Sequence, residues 1–364
     1  MKQPPQTGVA AQARLVPPRP ALRIGALSMA FRLRPLLLVL VAALVLVVLF
    51  VVNLGVGAFT LSPAEVVAVL LGGGHPADRL AVLELRLPRA VAALLVGAAL
   101  GLSGAIVQTV ARNPLASPDI LGVTWGAGAA VTAAIVFGGT AGGLLGTTGL
   151  PAVALAGGLL AGLVVFGLTY RDGLDSLRLL LVGVGVMAIA SSITVWLLSA
   201  GEVEDASRAL IWLTGSLNGR GWDDALPLAI TLAILVPPTL IGSRTLDALQ
   251  FTDDTVRAIG VRLTPARAVL LSAAVVFAAV ATAVAGPIQF VALCAPQISL
   301  RLARLPRPPL VLSMLLAAIL VLAADMISRT AFGTAELPVG IVTAVLGAPY
   351  LIYLVMRRHR GDTV

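Results

Sequence analysis

About ten apolar stretches, most of them close to the length of a membrane crossing, run through this chain, and no other feature constrains its fold so tightly. A helix needs about 20 apolar residues to cross a hydrocarbon core of about 30 Å. Within that core every backbone N–H and C=O has to be satisfied by the segment itself or by a closed barrel. Barrel strands are about half as long, so runs such as Pro35 to Val52 and Val269 to Ala285 point to helices. Breaks at glycine, proline and charge predict spans near 36–56, 90–110, 119–137, 150–169, 178–199, 224–243, 266–285, 288–303, 310–330 and 338–356. The eighth is short and follows Gly286-Pro287, which fits a broken or re-entrant helix as well as a full crossing.

Composition agrees with an all-α integral membrane protein, since 59% of the 364 residues are hydrophobic and only 12% charged, against about 25% charged in soluble domains. The net charge of +8 does not read as a nucleic-acid surface, because the arginines crowd into the tails and alternate loops, as an orientation signal does. An even span count puts both termini on one side, and Arg357, Arg358 and Arg360 together with the N-terminal arginines make that side the cytoplasm. Arg112, Arg171, Arg178, the stretch from Arg244 to Arg267, and Arg301, Arg304 and Arg307 fall on the same side, whereas the opposite loop at 200–223 carries Glu202, Glu204 and Asp205.

Residues 1–34 mix Pro17, Pro18 and Pro20 with Arg14, Arg19, Arg23, Arg32 and Arg34, too polar a composition for a core, and are expected to form a disordered cytoplasmic tail. The first apolar run exceeds a signal-peptide core and NLGVGAF offers no small-x-small cleavage pattern, so it is expected to be retained as a span. The transmembrane domain then covers 35–357, with 358–364 as a second tail.

Missing chemistry narrows the function. The only lysine is Lys2, so no phosphate-binding loop with its lysine can form and the chain is not expected to hydrolyse ATP itself. His75 and His359 are predicted on opposite sides of the membrane, which leaves no histidine metal cluster, and no cofactor is expected. The single cysteine, Cys294, lies in an apolar run as a buried small hydrophobe. Asp325 is the clearest carboxylate inside a span and reads either as a proton relay or as the partner of Arg329, four residues on along the same helix face. Gln108 and Gln289 fit a path lining or bonds between helices.

One soluble stretch, FTDDTVRAIGVRLTPAR (251–267), interrupts the apolar pattern. Thr252 is placed to cap a two-turn helix, Asp253 and Asp254 suit its positive end, Val256 and Ile259 share a face, and Gly260 suits the position after its last turn. Thr264-Pro265 predicts the start of the next span. So short a helix is unstable alone. It is either a connector packed on its own domain or an element that docks into a soluble partner.

Several long motifs in one order cover nearly everything after residue 60: LRLPR (85–89), GAALGLSGAIVQTVARNPLASPDILGV (97–123), DDTVRAIGV (253–261), AGPIQFVALCAPQ (285–297) and ELPVGIVTAVLGAP (336–349). Through them the chain resembles the permease subunits of ATP-binding-cassette (ABC) importers for ferric siderophores, haem and vitamin B12, of type II architecture. The resemblance implies a subunit of the bacterial inner membrane that pairs with a second permease, two cytoplasmic ATPases and an external substrate-binding protein, in contact with membrane lipid and not with nucleic acid. It makes 252–260 the coupling helix, with Asp254, Thr255, Arg257, Ala258, Ile259, Gly260 and Val261 facing the ATPase. It offers Arg79, Arg86, Arg89 and Arg329 to the binding protein.

Gly286, Pro287 and Pro296 break helical regularity at membrane depth, which places them with Gln108, Gln289 and Gln297 near the path or the subunit seam. The best-known members carry glycine and histidine where this chain has Gln289 and Gln297, so contacts of that histidine do not carry over. In RNPLASPDILGV, Pro114 ends one helix and Ser117-Pro118-Asp119 is expected to cap the next. Gly97, Gly101 and Gly104 fit close helix approach. RDGLDSLRLLLVGVGV (171–186) and WLTGSLNG (212–219) resemble ferric catecholate permeases most. Cobalamin and haem are the alternative cargoes, and an ion-coupled secondary carrier the alternative class.

Overall fold

The computed structural model describes residues 21–24, 27–30, 33–57, 59–138, 149–170, 176–331 and 336–361. Residues 1–20 of the expected tail, and Arg171, lie outside these. Ala21–Ile24 (β1) and Leu27–Ala30 (β2) pair as a small antiparallel ribbon ahead of the first helix. All else of regular structure among the described residues is helical. Helix α1 spans Leu33–Gly55, α2 Pro63–Leu70 and α3 Pro76–Arg79, and a π-helical turn, Leu80–Arg86, leads straight into α4, Leu87–Val110. A 3₁₀ turn at Pro118–Leu121 precedes α5, Val123–Gly138, then α6, Gly149–Thr169, and α7, Ser176–Ala200. Helices α8, Val203–Leu213, α9, Trp222–Ile241, α10, Ser243–Ala248, and α11, Asp253–Ala258, follow. The chain closes with α12, Leu263–Ala285, α13, Val291–Ala303, α14, Leu310–Thr330, and α15, Val339–Gly361. The last helix thus runs on into the segment expected as a tail.

Seven of these segments are long and apolar enough to cross a membrane among the described residues, and α5, α13 and the apolar part of α15 are shorter, so the membrane domain is built of helices, with about ten spans. The short eighth span is α13, of 13 residues. Every residue of α4 from Val96 to Val110 is buried, as expected of a helix apolar all round. Its glycines permit this. A Cβ on Gly97 would stand 2.6 Å from the Ala317 carbonyl oxygen of α14, and one on Gly101 or Gly104 would run into the carbonyl oxygen of Ser313 in α14 or of Ala292 in α13. Helix α12 closes the other side of α4, with Ser103 donating to the Ala274 carbonyl at 2.6 Å. By contrast α1 and α7 expose much of their apolar surface, among it Leu40, Leu44, Ile189 and Trp196, a pattern that suits lipid or a second membrane subunit.

Candidate functional site

At one end of the bundle the segment from α9 to α12 folds back on the helix ends. Helix α11 stops where the sequence predicts. Gly260 takes φ +83°, and the Val261 and Gly260 amides donate to the Val256 and Arg257 carbonyls at 3.2 and 2.9 Å, the paired closure of a glycine-ended helix. Three details differ from expectation. The Thr252 hydroxyl meets that of Thr255 at 2.9 Å instead of capping a backbone amide. Val256 is fully buried while Ile259, just past the helix, is exposed, so the two do not share a face. Helix α12 begins at Leu263, which puts Thr264 and Pro265 inside its first turn.

The buried side of this segment is held by charge. Arg267, at the start of α12, donates through both terminal nitrogens to the Asp253 carboxylate, at 2.7 and 3.1 Å. Arg112, just past α4, donates to the same carboxylate at 2.8 Å and to the Leu249 carbonyl at 2.8 Å. Those contacts hold the Asp253 carboxyl below its usual range, the Arg267 bonds contributing most. Farther back, Asp247 of α10 pairs with Arg307 in the α13–α14 connection, and Arg307 also donates to the Ser243 carbonyl at 3.2 Å. The outward face is left open: Asp254, Thr255, Arg257, Ala258, Ile259 and Gly260 are all exposed, and Val261 half-buried. Between segment and bundle lies a cavity of about 320 Å³ whose polar lining includes Gln108, Arg112, Asn113, Gln250, Gln297 and Arg307.

The predicted interior residues divide. Gln297 of α13 donates to the Gln108 side-chain carbonyl at 2.6 Å, and Gln108 of α4 donates to the Leu293 carbonyl at 3.0 Å, so these two join α4 to α13 as interhelical bonds. Gln289 is exposed. Gly286 has φ +69° and Phe290 φ +65°, the two bends that separate α12 from α13, with the buried Pro287 between them. The break is seated against other chain, since the Ser216 amide donates to the Ala285 carbonyl at 2.8 Å and the Gly340 amide to that of Gly215 at 3.0 Å. Irregular backbone at membrane depth is tolerated where protein satisfies it in this way. Pro296 is buried inside α13. Ser117 makes no capping bond at the 3₁₀ turn, and Asp119 instead accepts from the Thr124 hydroxyl.

At the opposite end, three of the four arginines expected to meet a binding protein are turned inward. Arg86 donates to the Leu54 and Phe59 carbonyls at 2.9 and 2.7 Å, with Phe59 stacked 4.6 Å from its guanidinium. Arg329 donates to the Val56 and Asn53 carbonyls at 3.0 and 3.3 Å. These carbonyls belong to the end of α1 and the turn after it, where no intrahelical donors remain, so both arginines cap another helix. Asp325, fully buried, accepts from Arg89 at 2.9 Å, Arg329 at 3.2 Å and Asn53 at 3.3 Å, and Arg89 reaches Glu336 at 3.1 Å. The structural pairing of Asp325 is therefore present, with Arg89 and Asn53 as additional partners. Arg79 is the exposed one of the four.

The sequence reading missed the Arg112–Asp253–Arg267 cluster and the bridge from Arg89 to Asp325. Nothing in local spacing links Arg112 to Asp253 or Arg89 to Asp325, which lie 141 and 236 positions apart, although Asp253 and Arg267 stand only 14 residues apart in a stretch already singled out.

The FecCD transport family profile matches residues 45–357. The chain is 40% identical over 304 residues to the ferric enterobactin transport system permease protein FepG of Escherichia coli (strain K12), covering 84% of this chain and 91% of that one. It is 37% identical over 330 residues to the iron(3+)-hydroxamate import system permease protein FhuG of Bacillus subtilis (strain 168), covering 90% and 98%. It is 38% identical over 281 residues to the vitamin B12 import system permease protein BtuC of Yersinia enterocolitica, covering 77% and 82%. Among solved structures, an inward-facing metal-chelate type ABC transporter superposes with a TM-score of 0.78 at 29% identity, over 88% of this chain and 98% of that one.

Proposed function

The chain belongs to the FecCD transport family, and from that membership we propose that it imports a ferric siderophore across the bacterial inner membrane, driven by ATP hydrolysed on separate subunits. It is a permease subunit of an ABC importer. The observation that carries the mechanism is α11: a six-residue helix braced from behind by Asp253 and exposed along its outer side. A helix this short gains its order from what it touches. Its exposed Asp254, Thr255, Arg257, Ala258 and Ile259, closed by Gly260 and Val261, form the surface offered to an ATPase dimer.

This reading makes the α11 end cytoplasmic, with both termini on that side, in keeping with Arg112, Arg244, Arg262, Arg301 and Arg304 there. A second permease, identical or related, completes the path, with the break at 285–290, Gly286, Pro287 and Gln289 included, near it or near the seam. The opposite end receives the substrate-binding protein, for which Arg79 is the free arginine, acting mainly on encounter and register. Alternating access then follows from closure of the ATPase pair, which displaces α11 and the helices behind it.

A ferric catecholate is the proposed cargo, supported by the 171–186 and 212–219 motifs and by the similarity to the ferric enterobactin permease. Vitamin B12 is the second reading, favoured by the 38% identity to BtuC. The test is uptake of radio-iron-labelled catecholate and hydroxamate siderophores and of labelled cobalamin in a deletion strain and its complemented parent. Selective loss of the catecholate is expected. Loss of cobalamin alone overturns the cargo and keeps the mechanism, whereas uptake that survives deletion of the partner ATPase overturns the ATP-driven reading.

A further inference from the structure

Reading α11 as the ATPase-docking helix leaves open how its displacement reaches the transmembrane core. We propose that Asp253 is a positioning residue for transport: its carboxylate, shared by Arg267 and Arg112, locks the coupling helix to α12 and α4, and without it ATP is turned over with little import. The inference rests on the docking role of α11.

Three observations support it. First, α11 has one buried side chain, Val256, in six residues, so apolar packing holds it to the core at a single point. An element anchored so lightly can rotate in place when pushed, and the push is then lost in the flanking 249–252 and 259–262 connections. Secondly, the two arginines belong to the innermost helices. Arg267 lies in the first turns of α12 with 6% of its side chain exposed. Arg112 follows α4 in a left-handed conformation, φ +48°, and has a second bond to the Leu249 carbonyl. Helices α4 and α12 pack against each other, joined by the Ser103–Ala274 bond, so both anchors sit on one body.

Thirdly, the two-nitrogen contact from Arg267 has a fixed plane, unlike a single-point charge contact, and resists rotation of the carboxylate it holds. The neighbouring Asp247–Arg307 contact ties the preceding α10 to the α13–α14 connection, which closes the same segment at a second place. Asp254 and Arg257 meet only loosely, at 3.7 Å, on the outer face, and stay available to a partner. One carboxylate is thus bound by arginines of the core helices while its sequence neighbour is left open on the outer face.

The experiment uses the complete importer, purified with its ATPase and binding protein and reconstituted in proteoliposomes, with a radio-iron-labelled ferric catecholate as probe. Co-purifying ATPase, ATP hydrolysis rate and uptake are measured for wild type, Asp253→Asn, Asp253→Glu and Arg112→Gln. The expected result for Asp253→Asn is ATPase bound at wild-type stoichiometry and uptake per ATP lowered about fivefold, at the lower end of a typical coupling free energy. Asp253→Glu restores most of the ratio, and Arg112→Gln, which keeps the Arg267 contact, lowers it less. An unchanged ratio in Asp253→Asn and Arg112→Gln overturns the proposal, as does loss of the bound ATPase, which would make Asp253 a docking contact. If wild type itself takes up no chelate with ATP, the functional reading has failed before the variants are compared.

Discussion

Arg86 and Arg329 show how little a residue's identity says about its employment. Both look like surface charge in the sequence, yet each gives its guanidinium to backbone carbonyls around the end of α1. A buried carbonyl stripped of its donor costs about 1–3 kcal/mol. Arg86→Met, which keeps the stem and removes the donors, is therefore expected to destabilise the detergent-solubilised chain by about 2–4 kcal/mol, read as a lowered melting temperature. Arg79→Glu leaves the melt unchanged and slows association with the binding protein in a salt-dependent way. The glycines were easier to read, because spacing alone put Gly97, Gly101 and Gly104 on a packing face. Gly104→Ala drives a methyl into the Ala292 carbonyl and is expected to cost at least about 1–3 kcal/mol in the same melt, whereas Gly167→Ala, with open space around it, is neutral or slightly stabilising.

At the scale of the element, α11 was legible as a helix and nearly silent about its mounting. Its length, acidic start and glycine end are local patterns, and the structure has all three. The anchor Arg112 comes from 141 positions away and Arg267, though only 14 residues on, meets Asp253 only because the chain turns back between α11 and α12, and the exposure of Ile259 follows from its position one residue past the helix rather than from helical periodicity. Because the folded Asp253 carboxyl titrates below its ordinary value, its stabilising contribution is present above about pH 4 and disappears as pH falls through the lower folded value. The melting difference between wild type and Asp253→Asn should stay flat from about pH 5 to 8 and shrink as pH falls below the ordinary carboxylate range of about 4, and since the carboxylate is 38% exposed it should not exceed about 1 kcal/mol. A difference that grows on acidification contradicts the assignment. Gly260→Val forces a branched side chain into φ +83° and is expected to reduce uptake severalfold in whole cells while expression holds, because the change unseats the helix end and touches no packed neighbour.

For the whole molecule, hydrophobic runs sufficed to place the spans within a few residues, since crossing a bilayer leaves a length and composition signal that later packing does not erase. The broken α12–α13 join was also visible, in Gly286-Pro287. What the runs could not reveal was which polar side chains close on each other inside the bundle, as Gln108 does with Gln297, or which charges at its ends remain free for partners. Those depend on how helices far apart in the chain are brought side by side. On the proposed function, the chain is a path whose transport is driven by ATP hydrolysed on separate subunits and transmitted through α11. The most direct test is ferric-catecholate accumulation in proteoliposomes holding the purified complex, with ATP either present or absent on the ATPase side and no ion gradient imposed. Accumulation with ATP alone is expected, abolished when the ATPase subunits are inactivated. Accumulation that needs an ion gradient and ignores ATP would overturn ATP-driven transport.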